Sequence, residues 1–332
     1  MNSDVPGILM VGHGSPRQEA NDGFIATAAR VAARLGAAVL PTFFSLARPN
    51  IEDQVARLAA EGVRRIVLMP YFLYTGQHVS KDIPALLAAC RAKFPGVAID
   101  VLPTLEGDAG LEDVVVDRLR PYAAAGGLPT DGGAIERQSH ALIGQYLDAG
   151  GPQDPAERAI VRRVIHATAD FSFARSLKIH PEAVRRGRDA LAAGRPVLCD
   201  VRMLQAGITR TAGEVLCVIG DAETARLAAA RGSTRAAAAM EVLADRIDGA
   251  IVAVGNAPTA LWKLMEMAAH GGPRPALVVG LPVGLVGARE SKLALMESGL
   301  VYVTNTSTRG GSPAAAAAVN AIALLEKESD DA

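Results

Sequence analysis

Apolar residues in this chain fall into short unbroken runs separated by stretches with helical spacing. In the first part the runs lie at residues 8–11, 38–43, 65–70 and 97–102. Between them, as in residues 51–60, Ile51, Val55, Leu58 and Ala59 recur on one helical face. Such alternation predicts βαβα units building a parallel sheet covered on both sides. The pattern breaks at residues 123–133, where small residues, glycines and one proline make a joint between domains. A polar helix at 135–147 and a loop at 150–154 follow. Further runs of strand type lie at 161–165, 196–200, 215–219, 249–254, 275–279 and 300–304. An alanine-rich stretch at 313–325 predicts a terminal helix packed on the sheet, and the charged tail 326–332 is expected to fray. The expected organisation is therefore two α/β domains, each a mostly parallel sheet flanked by helices, at 1–123 and 134–332, with a linker at 124–133.

The 332-residue length suits two domains of ordinary size. Half the residues are hydrophobic and 21% are charged, as in a folded enzyme. A formal net charge of −1 provides no global field for nucleic acid or an anionic membrane. A polyanionic ligand would need local arginines and helix N-termini instead. Cys90, Cys199 and Cys217 form no CxxC pair; Cys199 and Cys217, in apolar strand-like runs, read as small buried hydrophobes, and the scattered set suits a reducing compartment. The N-terminus lacks the basic and long apolar regions of a signal peptide, and no apolar run reaches the ~20 residues of a membrane span. These features predict a cytoplasmic protein with no nucleic-acid or membrane partner.

Two places carry candidate chemistry. In the first domain, Met10-Val11-Gly12-His13-Gly14-Ser15 puts a histidine between glycines just after a strand. Ser15 is expected to cap the next helix, with Gln18 completing a capping box. A second histidine, in Gly76-Gln77-His78-Val79, follows another strand. Loops at one sheet edge would let His13 and His78 share a metal or a substrate, imidazole being a common ligand for divalent metals. Each histidine taken alone also reads as an ordinary loop residue.

Val11-Gly12-His13-Gly14-Ser15 with Asn21, and Pro70-Tyr71-Phe72-Leu73 leading through Gly76-Gln77-His78-Val79 to Asp82-Ile83-Pro84, resemble the small sirohydrochlorin chelatase family over about residues 5–122. The resemblance implies insertion of cobalt, as a substrate metal, into a tetrapyrrole, with His13 and His78 facing the metal and one of them accepting a pyrrole proton. It also implies pairing with a second copy, since one such unit is half of a two-lobed cleft. Family members usually carry a glutamate after the second strand; here Phe43-Phe44-Ser45 places Ser45 there, a poorer ligand and no proton acceptor at neutral pH. Glu19 and Asp22 are candidate substitutes. A non-catalytic metal- or tetrapyrrole-binding module is the competing reading of this domain.

In the second domain, Arg162-Arg163-Val164-Ile165-His166-Ala167-Thr168-Ala169-Asp170 is read as a strand delivering His166 to a ligand crevice. Downstream, Thr209-Arg210, Thr234-Arg235, Gly255-Asn256-Ala257-Pro258 and Thr308-Arg309-Gly310-Gly311 offer hydroxyls, backbone N–H groups and arginines that suit a ligand with several carboxylates. Nucleotide binding competes poorly, because Gly280 to Gly287 does not form G-x-G-x-x-G and no Walker lysine pattern exists. His140 and His180 read as surface residues.

These segments, with Ile135-Glu136, Ser139 and Asp200…Met203…Gly207-Ile208-Thr209, resemble precorrin-8X methylmutase over about residues 134–328. The resemblance implies an isomerase that moves a methyl group from C-11 to C-12 of a corrin precursor, either metal-free or already loaded with cobalt. An intramolecular shift needs no methyl donor or redox cofactor, and motifs for neither occur. On this reading His166 donates a proton or hydrogen bond. Arg210, Arg235 and Arg309 hold peripheral carboxylates, Thr209 and Ser139 bond the ring edge, and Thr234 and Asn256 line the substrate site. A bifunctional, homodimeric enzyme of corrin biosynthesis is the resulting expectation.

Overall fold

The computed structural model describes residues 5–123 and 131–325. Two compact units divide the chain, Met1–Pro121 and Tyr122–Ala332. Most of the expected linker, and the charged tail at 326–332, lie outside the described residues.

The first unit holds four parallel strands, β1 (Gly7–Gly12), β2 (Val39–Phe43), β3 (Arg65–Pro70) and β4 (Ala98–Val101), in the order β2-β1-β3-β4. Side chains alternate across this sheet as the pleat requires. Leu9 and Val11 pack with Val55, Leu58, Ile83 and Leu87 of the helices Ile51–Ala60 and Ile83–Lys93, whereas Met10 faces Ala28 of the helix Gln18–Leu35. Burial on both faces explains why the strands read as continuous apolar runs.

The second unit is a six-stranded sheet of β5 (Leu177–Ile179), β6 (Val197–Cys199), β7 (Val215–Leu216), β8 (Ile251–Val254), β9 (Leu277–Gly280) and β10 (Tyr302–Asn305). Its order is β5-β10-β9-β8-β6-β7, with only β5 antiparallel to its neighbour. Val197, Cys199, Ile251, Ala253, Leu277 and Val279 face one helical layer, and Leu198, Val252, Val254 and Val278 the other. The alanine-rich helix Ser312–Leu325 is buried on nearly every side. Its small side chains allow the helix Pro155–Thr168 and the sheet to approach it closely.

Two sequence expectations fail here. Residues 161–165 are not a strand but part of the helix Pro155–Thr168, started by Asp154, whose side chain accepts the Glu157 N–H, and by Pro155 at the first turn. Ile160, Val161, Val164 and Ile165 are its buried residues, a spacing of one helical face that a run of β-branched residues disguised. His166 therefore sits in the last turn of a helix. The second failure concerns Gly132 and Gly133, which open the helix Gly132–Asp148 under an Asp131 cap instead of belonging to the joint.

The carboxyl edge of the second sheet is organised by Asp200, fully buried just after β6. Its carboxylate accepts the N–H groups of Gly255 (3.0 Å), Asn256 (2.8 Å) and Ala257 (2.7 Å), tying the loop after β8 to the end of β6. Burial pushes this carboxyl above its ordinary pKa, against the pull of the three backbone donors. Asp200→Asn turns at least one acceptor into a donor facing a buried N–H. The expected cost is about 1–3 kcal/mol of stability, read from the denaturant midpoint.

Candidate functional site

The two histidine loops of the first unit leave the sheet at the same edge. β1 and β3 are parallel neighbours, with Val11 beside Pro70. His13 directly follows β1, and the segment after β3 leads to a π-helical turn, His78–Asp82, of the kind often found at functional sites. The His78 side chain lies outside the described residues. His13 is exposed, its ring centroid 6.0 Å from that of Phe44 and its Nδ1 3.2 Å from the Gly14 carbonyl.

Ser45 lies against this histidine: its N–H donates to the His13 carbonyl at 2.9 Å. The approach is possible only because residue 14 is glycine, at φ +87°; a Cβ there would lie 1.9 Å from the Ser45 carbonyl oxygen. The expected capping box does not form. Arg17 is the N-cap and makes no side-chain cap, while Ser15 is instead gripped by Asn21, which accepts its N–H and donates to its carbonyl at 2.9 Å each. Asp22 is engaged by Gln18. Among the described residues no group of three His, Cys, Asp or Glu side chains converges as a metal-ligand set. The loops around His13 expose the side chains of Leu46, Tyr71, Leu73 and Tyr74.

In the second unit His166 lines a cavity of about 380 Å³ with Arg163, Met203, Gly207, Ser312 and Asn320. The helix ends two residues after His166 because Ala169 takes a left-handed conformation (φ 52°), turning the chain toward Asp170. Asp170 receives the Arg309 guanidinium at 2.6 Å, and Arg309 also donates to the Ser172 hydroxyl at 3.2 Å. Burial alone would raise the Asp170 carboxyl, but the Arg309 and Ser172 bonds outweigh it and hold the pKa below the ordinary value. Arg309 and His166 thus belong to one edge, with Asp170 beside them.

The Arg309 backbone is anchored from below. Lys292 is fully buried and its Nζ donates to the Arg309 carbonyl at 2.6 Å, which also accepts from Asn305 at 3.0 Å. Desolvation pushes the lysine pKa down to about 8. At the next residue, Gly310 (φ +154°) has no room for a side chain, since a Cβ would sit 2.3 Å from the Leu281 carbonyl oxygen. Nothing in the sequence pattern singled out Lys292: a lysine on a helix normally reads as solvated.

The other expected site residues separate into groups. Thr234 caps the helix Arg235–Val242, and its hydroxyl lies 2.7 Å from that of Thr259, so the Thr234-Arg235 and Asn256–Thr259 segments adjoin. Ser139 donates to the Ile135 carbonyl on its own helix. Thr209 and Arg210 line a different cavity, of about 450 Å³, with Ala192 and Leu324. Asn320 links the two places: its side-chain oxygen accepts the Thr209 and Arg210 N–H groups, and its amide donates to Gly207. His140 is not the surface residue expected. It is half-buried and stacks on His166, with ring centroids 4.7 Å apart. His180, also half-buried, accepts the Glu182 N–H and meets Tyr302 edge-on.

Comparison with known proteins bears on both units. A family model described as precorrin-8X methylmutase matches residues 134–325. The chain belongs to the precorrin-8X methylmutase family. A family model described as CbiX matches residues 7–122. The precorrin-8X methylmutase of Pseudomonas aeruginosa is 46% identical over 200 residues, covering 58% of this chain and 95% of that protein. The cobalt-precorrin-8 methylmutase of Priestia megaterium is 39% identical over 196 residues, covering 58% of this chain and 87% of that protein. Among solved structures, a precorrin-8X methyl mutase from Thermus thermophilus aligns with a TM-score of 0.54 at 39% identity, covering 60% of this chain and 98% of that one. The mostly parallel, helix-flanked sheet of the second unit is thus that of the family.

Lys292 separates packing from anchoring in a way that can be measured. Lys292→Ala removes the stem as well as the bond and is expected to cost about 2–5 kcal/mol of stability, the range for emptying a core site of this size. Lys292→Met keeps the stem volume and loses only the donor, so its melting temperature should lie well above that of the alanine variant.

Proposed function

We propose that the second unit isomerises precorrin-8X, or its cobalt form, by moving the C-11 methyl group to C-12, in the biosynthesis of cobalamin. The observation that carries this reading is His166, exposed at the mouth of a cavity whose backbone is fixed by buried bonds, in a chain of the methylmutase family. In the reaction the C-11–methyl bond breaks as the C-12–methyl bond forms, with no electrons gained from or lost to another group. His166, as imidazolium, hydrogen-bonds or protonates the macrocycle where charge shifts during migration. Arg309, oriented by Asp170, faces a peripheral carboxylate, and Arg235 and Arg210 are further candidates for that role. Thr209, Ser139, Thr234 and Asn256 complete the substrate-binding set of this proposal. Most of the acceleration comes from holding the macrocycle in the migrating geometry.

The first unit is, on the same proposal, a chelatase that inserts cobalt into sirohydrochlorin, with His13 and His78 directed at the metal and one of them accepting a pyrrole proton. The exposed apolar loops at Leu46, Tyr71, Leu73 and Tyr74 supply surface for a flat macrocycle. One observation favours a second reading, a binding module without turnover: Ser45 stands beside His13 where a carboxylate would assist the metal. The protein is taken to act as a cytoplasmic homodimer.

Three measurements test these assignments. His166→Ala in the full chain should lower conversion of precorrin-8X at least about 100-fold, the scale of a lost general acid; wild-type rates would refute the role. Supplying metal-free and cobalt-loaded substrate in parallel decides which one the enzyme takes. For the first unit, His13→Ala with His78→Ala should abolish cobalt insertion, and Ser45→Glu should raise it about tenfold or more if the missing carboxylate limits the rate. Tight cobalt binding with no insertion by wild type or Ser45→Glu protein would establish the module.

A further inference from the structure

The histidine stacked on His166 comes from a different helix. His140 lies in Gly132–Asp148 and His166 in Pro155–Thr168, packed against each other so that the two rings meet at 4.7 Å with 28° between their planes. His140 Nε2 is 3.6 Å from the Glu136 carboxylate one turn earlier on its own helix. Its other nitrogen, Nδ1, is buried with no hydrogen-bond partner among the described residues.

These contacts assign the ring a charge state. A neutral imidazole carries one proton, and placing it on Nε2 points it toward Glu136. Protonation of the ring would add an N–H at Nδ1, where nothing accepts it, and would set a second cation against any charge on His166. The charged groups facing His140 are Glu136 from its own helix, and His166 and Arg162 from the neighbouring one. At the far end of the helix pair, Arg158 is paired with Asp148. Burial, the His166 ring and the Arg162 guanidinium together push the His140 imidazole below its ordinary pKa, against the opposite pull of Glu136.

We propose that His140 is a positioning residue for His166: its uncharged ring backs the His166 ring, and its own protonation closes the active range on the acid side. The inference rests on the reading of His166 as the proton donor. An acid limit to activity follows: activity falls at low pH as His140 gains a proton and the two rings repel. Since the His140 pKa is lowered, the acid limb lies below the ordinary histidine range.

The test is the pH dependence of kcat and KM for the full chain converting precorrin-8X. His140→Phe keeps a stacking ring that cannot charge; kcat at the optimum should drop by no more than about threefold, with the acid limb gone. His140→Ala removes the support, so kcat should fall about tenfold with KM little changed, a positioning loss that phenylalanine rescues. Glu136→Gln removes the group that favours the His140 proton and should move the acid limb to lower pH. A His140→Phe profile that superimposes on wild type, or a fully active His140→Ala, overturns the proposal. Histidine-ring NMR titration of the full chain gives a readout independent of turnover. In His166→Ala the His140 ring should titrate at higher pH than in wild type, and an unchanged midpoint also overturns the proposal. Absence of turnover in wild type would refute the functional reading while the titration still judges the pair.

Discussion

A parallel sheet buried on both faces leaves unpaired peptide groups at the ends of its strands, and these must be satisfied where the chain turns away. In the second unit buried and half-buried side chains that bond backbone do part of this. Asp200 accepts three N–H groups of the loop after β8. Lys292 donates to the Arg309 carbonyl, and Asn320 holds Gly207, Thr209 and Arg210 at once. Remove these bonds and the strands remain, but the loops that end them lose their fixed course. Arg309, itself paired with Asp170, is carried on backbone that Lys292 and Asn305 have set.

Much of this was legible in the sequence. Buried strands announce themselves as apolar runs, and every strand of the two sheets except β5 falls where such a run lies, with ends displaced by a few residues. The helix carrying His166 was misread because Val161, Val164 and Ile165 are β-branched and crowd together, although their spacing is helical and Asp154-Pro155 is a helix start. β5 was missed because Leu177–Ile179 is a short edge strand with little pattern to detect. The candidate histidines and arginines were visible as residues next to strand-like runs or glycine turns. The partners that orient them were not: Lys292, Asn320, Asp170 and His140 act across distances in sequence that no local pattern encodes.

The two units use the same edge differently. In the first, the close approach of Gly14 to Ser45 packs the loops after β1 and β2 together, and Leu46 is exposed there along with His13, Arg17 and Arg48. In the second, His166 lines a small cavity and stacks on His140, and Arg309 is paired with Asp170. The first edge exposes apolar side chains beside a histidine; the second pairs defined charges. Both units arise from one architectural class, so the contrast lies in the loops.

Lys292 links the geometry of the second edge to proton uptake. A lysine whose pKa is about 8 when folded and 10.5 in the open chain binds its proton less tightly in the native state. Below pH 8 both states carry that proton, and the folded state bears the full cost of a buried charge. Between pH 8 and 10.5 the unfolded chain holds the proton and the folded one does not, so this residue's contribution to stability rises with pH. The charge that strengthens the bond to Arg309 is lost over the same interval. At neutral pH the protein thus carries a standing electrostatic liability in its core, located where it fixes the chain next to the ligand edge.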